Sequence, residues 1–138
     1  MRLKLDPETA AFCRLFEDCS GVFAKDCFFD GQGTVYFVVA PDDMGKALGK
    51  QGSTVKRFQQ AVSRSVRVVP FAEDAVTFVK NVIAPLQVAE IVETENSLIL
   101  KDTQKKTKSL LIGRDGKRLQ LINRAVQRFF PGKEVKVV

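Results

Sequence analysis

The sequence predicts an α+β protein built from two similar units in tandem. The first observation is a repeated tetrapeptide, because Gly49-Lys50-Gln51-Gly52 returns sixty-four residues later as Gly113-Arg114-Asp115-Gly116. The second is that apolar residues after each tetrapeptide recur at i, i+3 and i+7, the spacing of a helix that buries one face. The third is that a short β-branched run follows each of these helices.

The repeat extends beyond the glycines into the residues around them. When the chain is shifted by sixty-four residues, every apolar position in these stretches stays apolar, and Lys50 is paired with Arg114. The apolar pairs are Ala47-Leu48 with Leu111-Ile112, Val55 with Leu119, Phe58 with Ile122, and Ala61-Val62 with Ala125-Val126. One Gly-x-x-Gly is a common chance match, but two in register with matched flanks indicate a duplicated unit.

The unit boundary is predicted near residue 70, giving a first domain at 1–70 and a second at 71–138. Only Pro70-Phe71-Ala72 separates the last strand of the first unit from the next helix, and it contains no Gly/Ser tract, so the connection should be short and stiff. Domains of about 70 residues are marginally stable alone. We therefore expect the two units to pack together.

The first helix has clear start and stop signals. Asp6 is a capping residue, Pro7 suits the first helical position, and Ser20-Gly21 ends the pattern. Phe12, Leu15 and Phe16 are expected to face the core.

The remaining elements give the order α-β-β-α-α-β in both units. In the first unit, strands are predicted at 22–29 and 34–40 with a hairpin at 30–33, followed by helices at 42–48 and 53–63 and a strand at 66–69. In the second unit, the predictions are a helix at 73–84, strands at 86–93 and 97–101, helices at 105–112 and 117–129, and a final strand at 135–138.

The two glycine stretches resemble the Ile-Gly-x-x-Gly-x-x-Ile signature of the KH domain. They read LGKQGSTV from Leu48 to Val55 and IGRDGKRL from Ile112 to Leu119. A helix and a strand ahead of the signature correspond to the type II KH order, in which helices pack on a small three-stranded mixed sheet. Two tandem copies resemble the short archaeal NusA-like transcription factors, which correspond to the paired KH portion of bacterial NusA. The likeness covers nearly the whole chain.

The resemblance implies that both glycine loops bind single-stranded RNA. In KH domains the sugar-phosphate chain presses against the loop, and the bases lie in a groove beside a strand. Lys50 and Arg114 would contact phosphate. The other loop residues are Gly49, Gln51, Gly52, Gly113, Asp115 and Gly116; the flanking cations are Lys46, Lys56, Lys108, Lys117 and Arg118; and the apolar groove floor is Leu48, Val55, Ile112 and Leu119.

Two alternatives concern the loops themselves. The glycines could serve only to permit a tight turn between two helices. In the second loop, Asp115 could weaken phosphate binding, be neutralised by Arg114, Lys117 and Arg118, or cap the next helix as a structural residue.

The charge distribution also favours the surface around the two glycine loops as the RNA-binding surface. The chain carries a net charge of +6, but residues 1–40 hold four basic and six acidic side chains. Residues 44–67 hold six basic side chains and no acid, and residues 103–133 hold nine basic side chains and one acid. A basic surface around each loop would supply salt-dependent affinity for a phosphate chain.

Other classes of protein are disfavoured. The chain contains no His, and its three cysteines, Cys13, Cys19 and Cys27, match no zinc spacing, so we interpret them as buried thiols and expect no metal, cofactor or catalysis. The phenylalanines at 12, 16, 58, 78 and 129 fall on helical apolar stripes, which favours core packing over the exposed stacking platform of an RRM. The first loop lacks the Walker A spacing.

The predicted function is a non-catalytic RNA-binding protein of NusA type that holds nascent RNA and modulates transcription termination or antitermination. The resemblance implies RNA polymerase or the elongation complex as a further partner. No segment has the length of a membrane span and no signal sequence is recognised, so we expect a cytoplasmic location. The alternatives are a KH protein of ribosome assembly or RNA processing, and a protein-interaction scaffold whose KH units have lost RNA binding.

Overall fold

The computed structural model describes residues 6–30 and 33–138, so the predicted hairpin tip at Gly31 and Gln32 lies outside the described residues. The chain divides into two compact units between Phe71 and Ala72. The first contains α1 (Pro7–Ser20), β1 (Ala24–Phe29), β2 (Thr34–Val39), α2 (Met44–Leu48), α3 (Ser53–Val62) and β3 (Ser65–Pro70). The second contains α4 (Ala75–Ile83), β4 (Glu90–Glu93), β5 (Ser97–Lys101), α5 (Lys105–Ile112), α6 (Lys117–Phe129) and β6 (Glu134–Val137).

Each unit contains one mixed sheet of three strands. In the first, β2 lies between β1, with which it pairs antiparallel, and β3, with which it pairs parallel. In the second, β5 has the same central place between antiparallel β4 and parallel β6. The helix pair that carries each glycine turn connects the two parallel strands, as a parallel crossover requires. The predicted fold of two type II KH domains is confirmed.

The first core is built around three phenylalanine rings from three elements. Phe16 of α1 stacks on Phe37 of β2 with ring centroids 4.1 Å apart, and Phe58 of α3 meets both rings edge-on at 5.7 and 5.6 Å. All three side chains are buried. Phe12 lies at the edge of this core, against Phe29. The interpretation of these helical phenylalanines as core residues is confirmed.

The second core is mainly aliphatic. Leu98, Leu100, Leu111 and Ile122 are all at most 1% exposed, and buried Phe78 of α4 supplies the aromatic contact. Its ring meets Phe129, at the end of α6, edge-on at 5.4 Å.

The first helix follows its predicted signals. The Asp6 side chain accepts a hydrogen bond from the Thr9 nitrogen at 2.8 Å, and Gly21 ends α1 with a left-handed φ of 72°. The prediction that Leu15 faces the core is wrong, because its side chain is 53% exposed. The buried face of α1 runs through Thr9, Cys13, Phe16 and Ser20 at helical spacing, which places Leu15 on the outer side.

Two predicted strands start later than expected because the residues before them bond elsewhere. The Val22 nitrogen, ahead of β1, donates to the Ser20 side chain, and the nitrogen of Ala24, the first residue of β1, donates to the Glu17 side chain. Before β4, Pro85 has no N–H and the Leu86 nitrogen donates back to the Ile83 carbonyl. By contrast, β5, α5 and α6 begin and end at the predicted residues.

The cysteines do not share one environment. Cys13 and Cys27 are buried in the first core, whereas Cys19 is exposed on α1, so the prediction of a buried thiol is wrong for Cys19. Within residues 6–30 and 33–138, no three Cys, Asp or Glu side chains are grouped so that they could hold a metal ion. No helix in the same ranges has both the length and the apolar character that a membrane span requires.

Candidate nucleic-acid interface

The two glycine loops have the same backbone conformation. Gly49 has φ 77° and ψ 173°, and Gly113 has φ 75° and ψ 177°. Gln51 (φ 54°, ψ 31°) and Asp115 (φ 56°, ψ 25°) then adopt the left-handed conformation, which non-glycine residues rarely use. The second glycines complete the match, Gly52 at φ 75° and ψ 15° and Gly116 at φ 73° and ψ 10°.

The first glycine of each loop has no room for a side chain. A Cβ on Gly49 would lie 2.8 Å from the Thr54 nitrogen, and one on Gly113 would lie 2.9 Å from the Arg118 nitrogen. Each loop therefore folds back tightly on the first turn of the following helix. The first glycine of each motif is therefore required by a close contact with the protein's own main chain.

The second glycine has open space instead. A Cβ on Gly116 would meet no atom within 4 Å, and one on Gly52 would meet only the flexible end of Lys56, at 3.9 Å. The absence of a side chain here leaves the loop surface accessible to a ligand backbone. Because α3 and α6 begin directly after these glycines, their N-terminal turns and positive dipole ends lie at the same place.

The cations at the loop tips are accessible. Lys50 and Arg114 are both exposed, and so are Lys56 and Lys117 in the helices that follow. Arg118 is half-buried, with an Nε atom that has no hydrogen-bond partner among the described residues. The two tips therefore present positive charge to solvent beside the helix N-termini.

The apolar residues predicted to form the groove floor are placed alike in the two units. Leu48 and Ile112, each just before its first glycine, are 36% and 37% exposed. Val55 and Leu119 are half-buried, and Val55 packs against the first core. Each loop thus has a partly exposed aliphatic side chain next to it.

Two of the predicted flanking cations have neighbours away from the loops. The Lys46 side chain lies over the end of α1, where a Cβ on Gly21 would be 3.5 Å from its Nζ. Lys108 lies close enough to Asp102 to contribute to lowering the pKa of that carboxyl, although the main cause is the hydrogen bond that Asp102 accepts from the Gln104 nitrogen.

Asp115 does not have the structural role considered from the sequence. It is exposed, it precedes the cap residue Gly116, and no side chain caps the start of α6 among the described residues. Its carboxylate therefore lies at the loop tip beside Arg114, the position that Gln51 occupies in the first loop.

A repeated amide contact, not anticipated from the sequence, fixes each helix against the strand that follows it. The Gln59 side chain of α3 accepts a hydrogen bond from the Val66 nitrogen at 2.8 Å, and Asn123 of α6 accepts one from the Val135 nitrogen at 2.7 Å. These amides correspond under the sixty-four-residue shift. Gln59 and Asn123 both lie beside the apolar stripe of their helices. In the sequence, only the comparison of the two repeats could have singled them out.

Comparison with known proteins identifies the family, although no family model matches the chain. The probable transcription termination protein NusA of Halococcus morrhuae is 30% identical over 139 residues, which cover 99% of this chain and 99% of that protein. The chain belongs to the archaeal NusA family. The probable NusA proteins of Methanococcus vannielii and Thermoplasma acidophilum are 29% and 24% identical, over 100% and 98% of this chain and 81% and 95% of their own lengths.

A solved structure supports the fold of this NusA-family chain. The crystal structure of APE1850 matches 97% of this chain and 100% of its own, with a TM-score of 0.72 and 21% sequence identity. This likeness concerns the fold, whereas the resemblance to archaeal NusA that the glycine motifs indicated is confirmed by the relative from Halococcus morrhuae.

Proposed function

We propose that this NusA-family protein binds single-stranded RNA through both glycine loops, and that by holding nascent RNA it modulates transcription termination or antitermination. The partners under this proposal are single-stranded RNA and the transcription elongation complex, in the cytoplasm, with no cofactor. The relatives' shared name, probable transcription termination protein NusA, supports the transcriptional role.

The observation that carries the proposal is the repeated loop backbone with an accessible second glycine. Tight helix-helix turns need no particular surface, yet each loop here combines open space at Gly52 or Gly116 with an exposed cation at Lys50 or Arg114. A phosphate placed on such a loop would meet helix N–H groups and a side-chain cation together.

The two loops would not bind equally. The first presents Lys50 and neutral Gln51, whereas the second presents Arg114 beside the carboxylate of Asp115. A carboxylate at the tip repels phosphate, so we expect the first unit to supply more of the electrostatic affinity. The guanidinium of Arg114 offsets part of that repulsion because it can bind phosphate with two parallel hydrogen bonds.

The test is a fluorescence-anisotropy titration of unstructured RNA at several salt concentrations. The first variant combines Lys50→Asp with Gln51→Asp, and the second is Arg114→Asp, which needs one change because Asp115 is already acidic. Each should weaken binding at least tenfold and lower the slope of log K against log salt by about 0.7 for each phosphate that the variant no longer neutralises. Arg14→Asp, which makes the same charge reversal as Arg114→Asp at an exposed position on α1, is the matched control and should leave affinity nearly unchanged.

Each result has a definite meaning. Weaker binding by both loop variants supports a clamp with two binding loops, and weaker binding by the first variant alone restricts RNA binding to the first unit. Absence of binding by the wild type, or binding that neither loop variant alters, would overturn the proposal in favour of a protein-interaction scaffold. Co-sedimentation with pre-ribosomes rather than with RNA polymerase would support the role in ribosome assembly.

A further inference from the structure

Arg64, which follows the C-terminal end of α3, is held in place by aromatic rings. Its guanidinium carbon lies 5.5 Å from the ring centroid of Phe12 and 5.5 Å from that of Phe29, and these two rings meet edge-on at 5.3 Å. Cation-π contact orients a guanidinium without using its N–H groups. The side chain is therefore positioned by α1 and β1 although it is exposed.

The N–H groups of Arg64 are available to a ligand. Among the described residues no carboxylate or carbonyl pairs with this guanidinium, which instead lies over the two rings. A planar, oriented fork of N–H donors matches the geometry of a phosphate group. An exposed lysine on a flexible stem would offer charge without that orientation.

Arg64 also borders a recess that is lined by cations and hydrogen-bond donors. An open recess of about 470 Å³ is lined by Lys56, Gln59, Gln60, Ser63, Arg64 and Ser65. Two cations, two amides and two hydroxyl groups supply donors for an anionic, hydrogen-bonding ligand. Lys56 joins the two sites, because it lines the recess and its Cε would lie 3.9 Å from a Cβ placed on Gly52 in the first loop.

The duplication retains the arginine. Under the sixty-four-residue shift Arg64 corresponds to Arg128, just as Gly49 corresponds to Gly113. The strands β3 and β6 begin at different distances in sequence after these two arginines. The arginine match therefore does not follow from where the next strand begins. A cation at the far end of the helix after the glycine loop is thus a common feature of both units.

We propose that Arg64 is a second phosphate anchor of the first unit, and that RNA runs from the Gly49–Gly52 loop along α3 into this recess. The inference rests on the proposed RNA binding and extends it to a site outside the glycine motif. The ten residues of α3 span about 15 Å. Only an RNA longer than the segment held by the loop would reach Arg64.

The test compares Arg64→Gln with wild type on two oligouridines. One has about four nucleotides, the number a KH loop clamps, and the other is three times as long. Arg64→Gln should weaken binding of the long RNA about tenfold and lower its salt slope by about 0.7, with no change for the short RNA. Arg64→Lys should keep the salt slope and bind the long RNA with an affinity between those of wild type and Arg64→Gln.

Arg14→Gln is the matched control, since Arg14 is an exposed arginine on α1 that lies outside the basic stretches around both loops and does not line the recess. It should leave the long RNA bound as in wild type. Titrations are made well below the thermal midpoint of each variant, so that exposure of Phe12 and Phe29 does not enter the comparison.

The failure of this inference differs from the failure of the proposed function. If wild type binds RNA and the Lys50/Gln51 variant does not, but Arg64→Gln binds both RNAs as wild type does, only the Arg64 anchor is overturned. Equal weakening on both RNAs, or equal weakening in Arg14→Gln, would also overturn the anchor. Absence of RNA binding by wild type would remove the proposed function itself.

Discussion

The main chain of Gly49 passes so close to Thr54 that a Cβ atom on the glycine would lie 2.8 Å from the Thr54 nitrogen. Its conformation, φ 77° and ψ 173°, belongs to a region that is essentially restricted to glycine. Gly52, three residues later, is left-handed with open space around it. The two glycines of one motif are therefore required for different reasons.

Gly49→Ala should destabilise the first unit far more than a substitution at Gly52. The alanine would combine backbone strain with a clash against Thr54, at a cost of about 3 kcal/mol or more in the free energy of unfolding. Gly52→Asn should cost about 1 kcal/mol, because Asn tolerates the left-handed conformation. Thermal and urea unfolding measure both values.

The second loop supplies the control for this difference. Gly113→Ala should reproduce the large destabilisation because its Cβ would meet the Arg118 nitrogen, and Gly116→Asn the small one. RNA binding should be sensitive to the second glycine as well: Gly52→Asn, although folded, places a side chain on the open loop surface and should weaken binding. Equal stability of Gly49→Ala and Gly52→Asn would contradict the steric argument.

Lys46 is expected to contribute more to folding than to RNA affinity. Its side chain lies over Gly21, where the last carbonyl groups of α1 carry partial negative charge, and the last turn of α1 has no cation of its own. Lys46→Met should lower stability by about 0.5 kcal/mol and weaken RNA binding less than Lys50→Met does. A larger decrease in affinity for Lys46→Met would show that Lys46 contacts RNA.

The fold was largely predictable because local signals and the repeat agreed. Asp6 and Gly21 mark the ends of α1 by their side-chain and backbone properties, and the duplicated glycine motif assigned the same element order to both halves. Where the prediction failed, tertiary contacts decided the outcome. Leu15 fits a helical apolar stripe, but the buried stripe of α1 runs through Cys13, Phe16 and Ser20.

The candidate site was predictable at the loops and not around them. Gly49 and Gly113 are identified by the motif itself, which needs a special backbone at fixed spacing. The position of Lys46 over α1, and of Arg64 on two rings from α1 and β1, depends on contacts between residues far apart in sequence. A count of basic residues cannot separate these roles.

The helix cap at Asp74 should make stability depend on acid pH. Its carboxylate accepts a hydrogen bond from the Thr77 nitrogen at 2.8 Å, which lowers the pKa of Asp74 in the folded protein, with the Thr77 side chain as the next cause. A lowered folded pKa means that the cap's contribution is complete above the unfolded pKa of about 3.9 and is lost as pH falls through the folded pKa.

Asp74→Asn tests this dependence, because Asn also caps helices but does not titrate in this range. The thermal midpoint of the variant should fall less steeply than that of wild type below about pH 4. Glu73→Gln, which removes a neighbouring charge without removing the cap bond, should retain the wild-type slope. Identical acid profiles for wild type and Asp74→Asn would exclude the cap as the cause.

Asn123 should be one of the most sensitive polar positions of the second unit. Its side chain accepts from the Val135 nitrogen at 2.7 Å and donates to the Val135 and Leu119 carbonyls at 3.0 and 3.2 Å, tying α6 to β6. Asn123→Leu removes these three hydrogen bonds and should cost about 2 kcal/mol. Gln120→Leu, on the same helix and exposed, should change the free energy of unfolding by less than about 0.5 kcal/mol. Because α6 begins at the second glycine loop, weaker RNA binding by Asn123→Leu at a temperature where it remains folded would show that this contact also positions the loop.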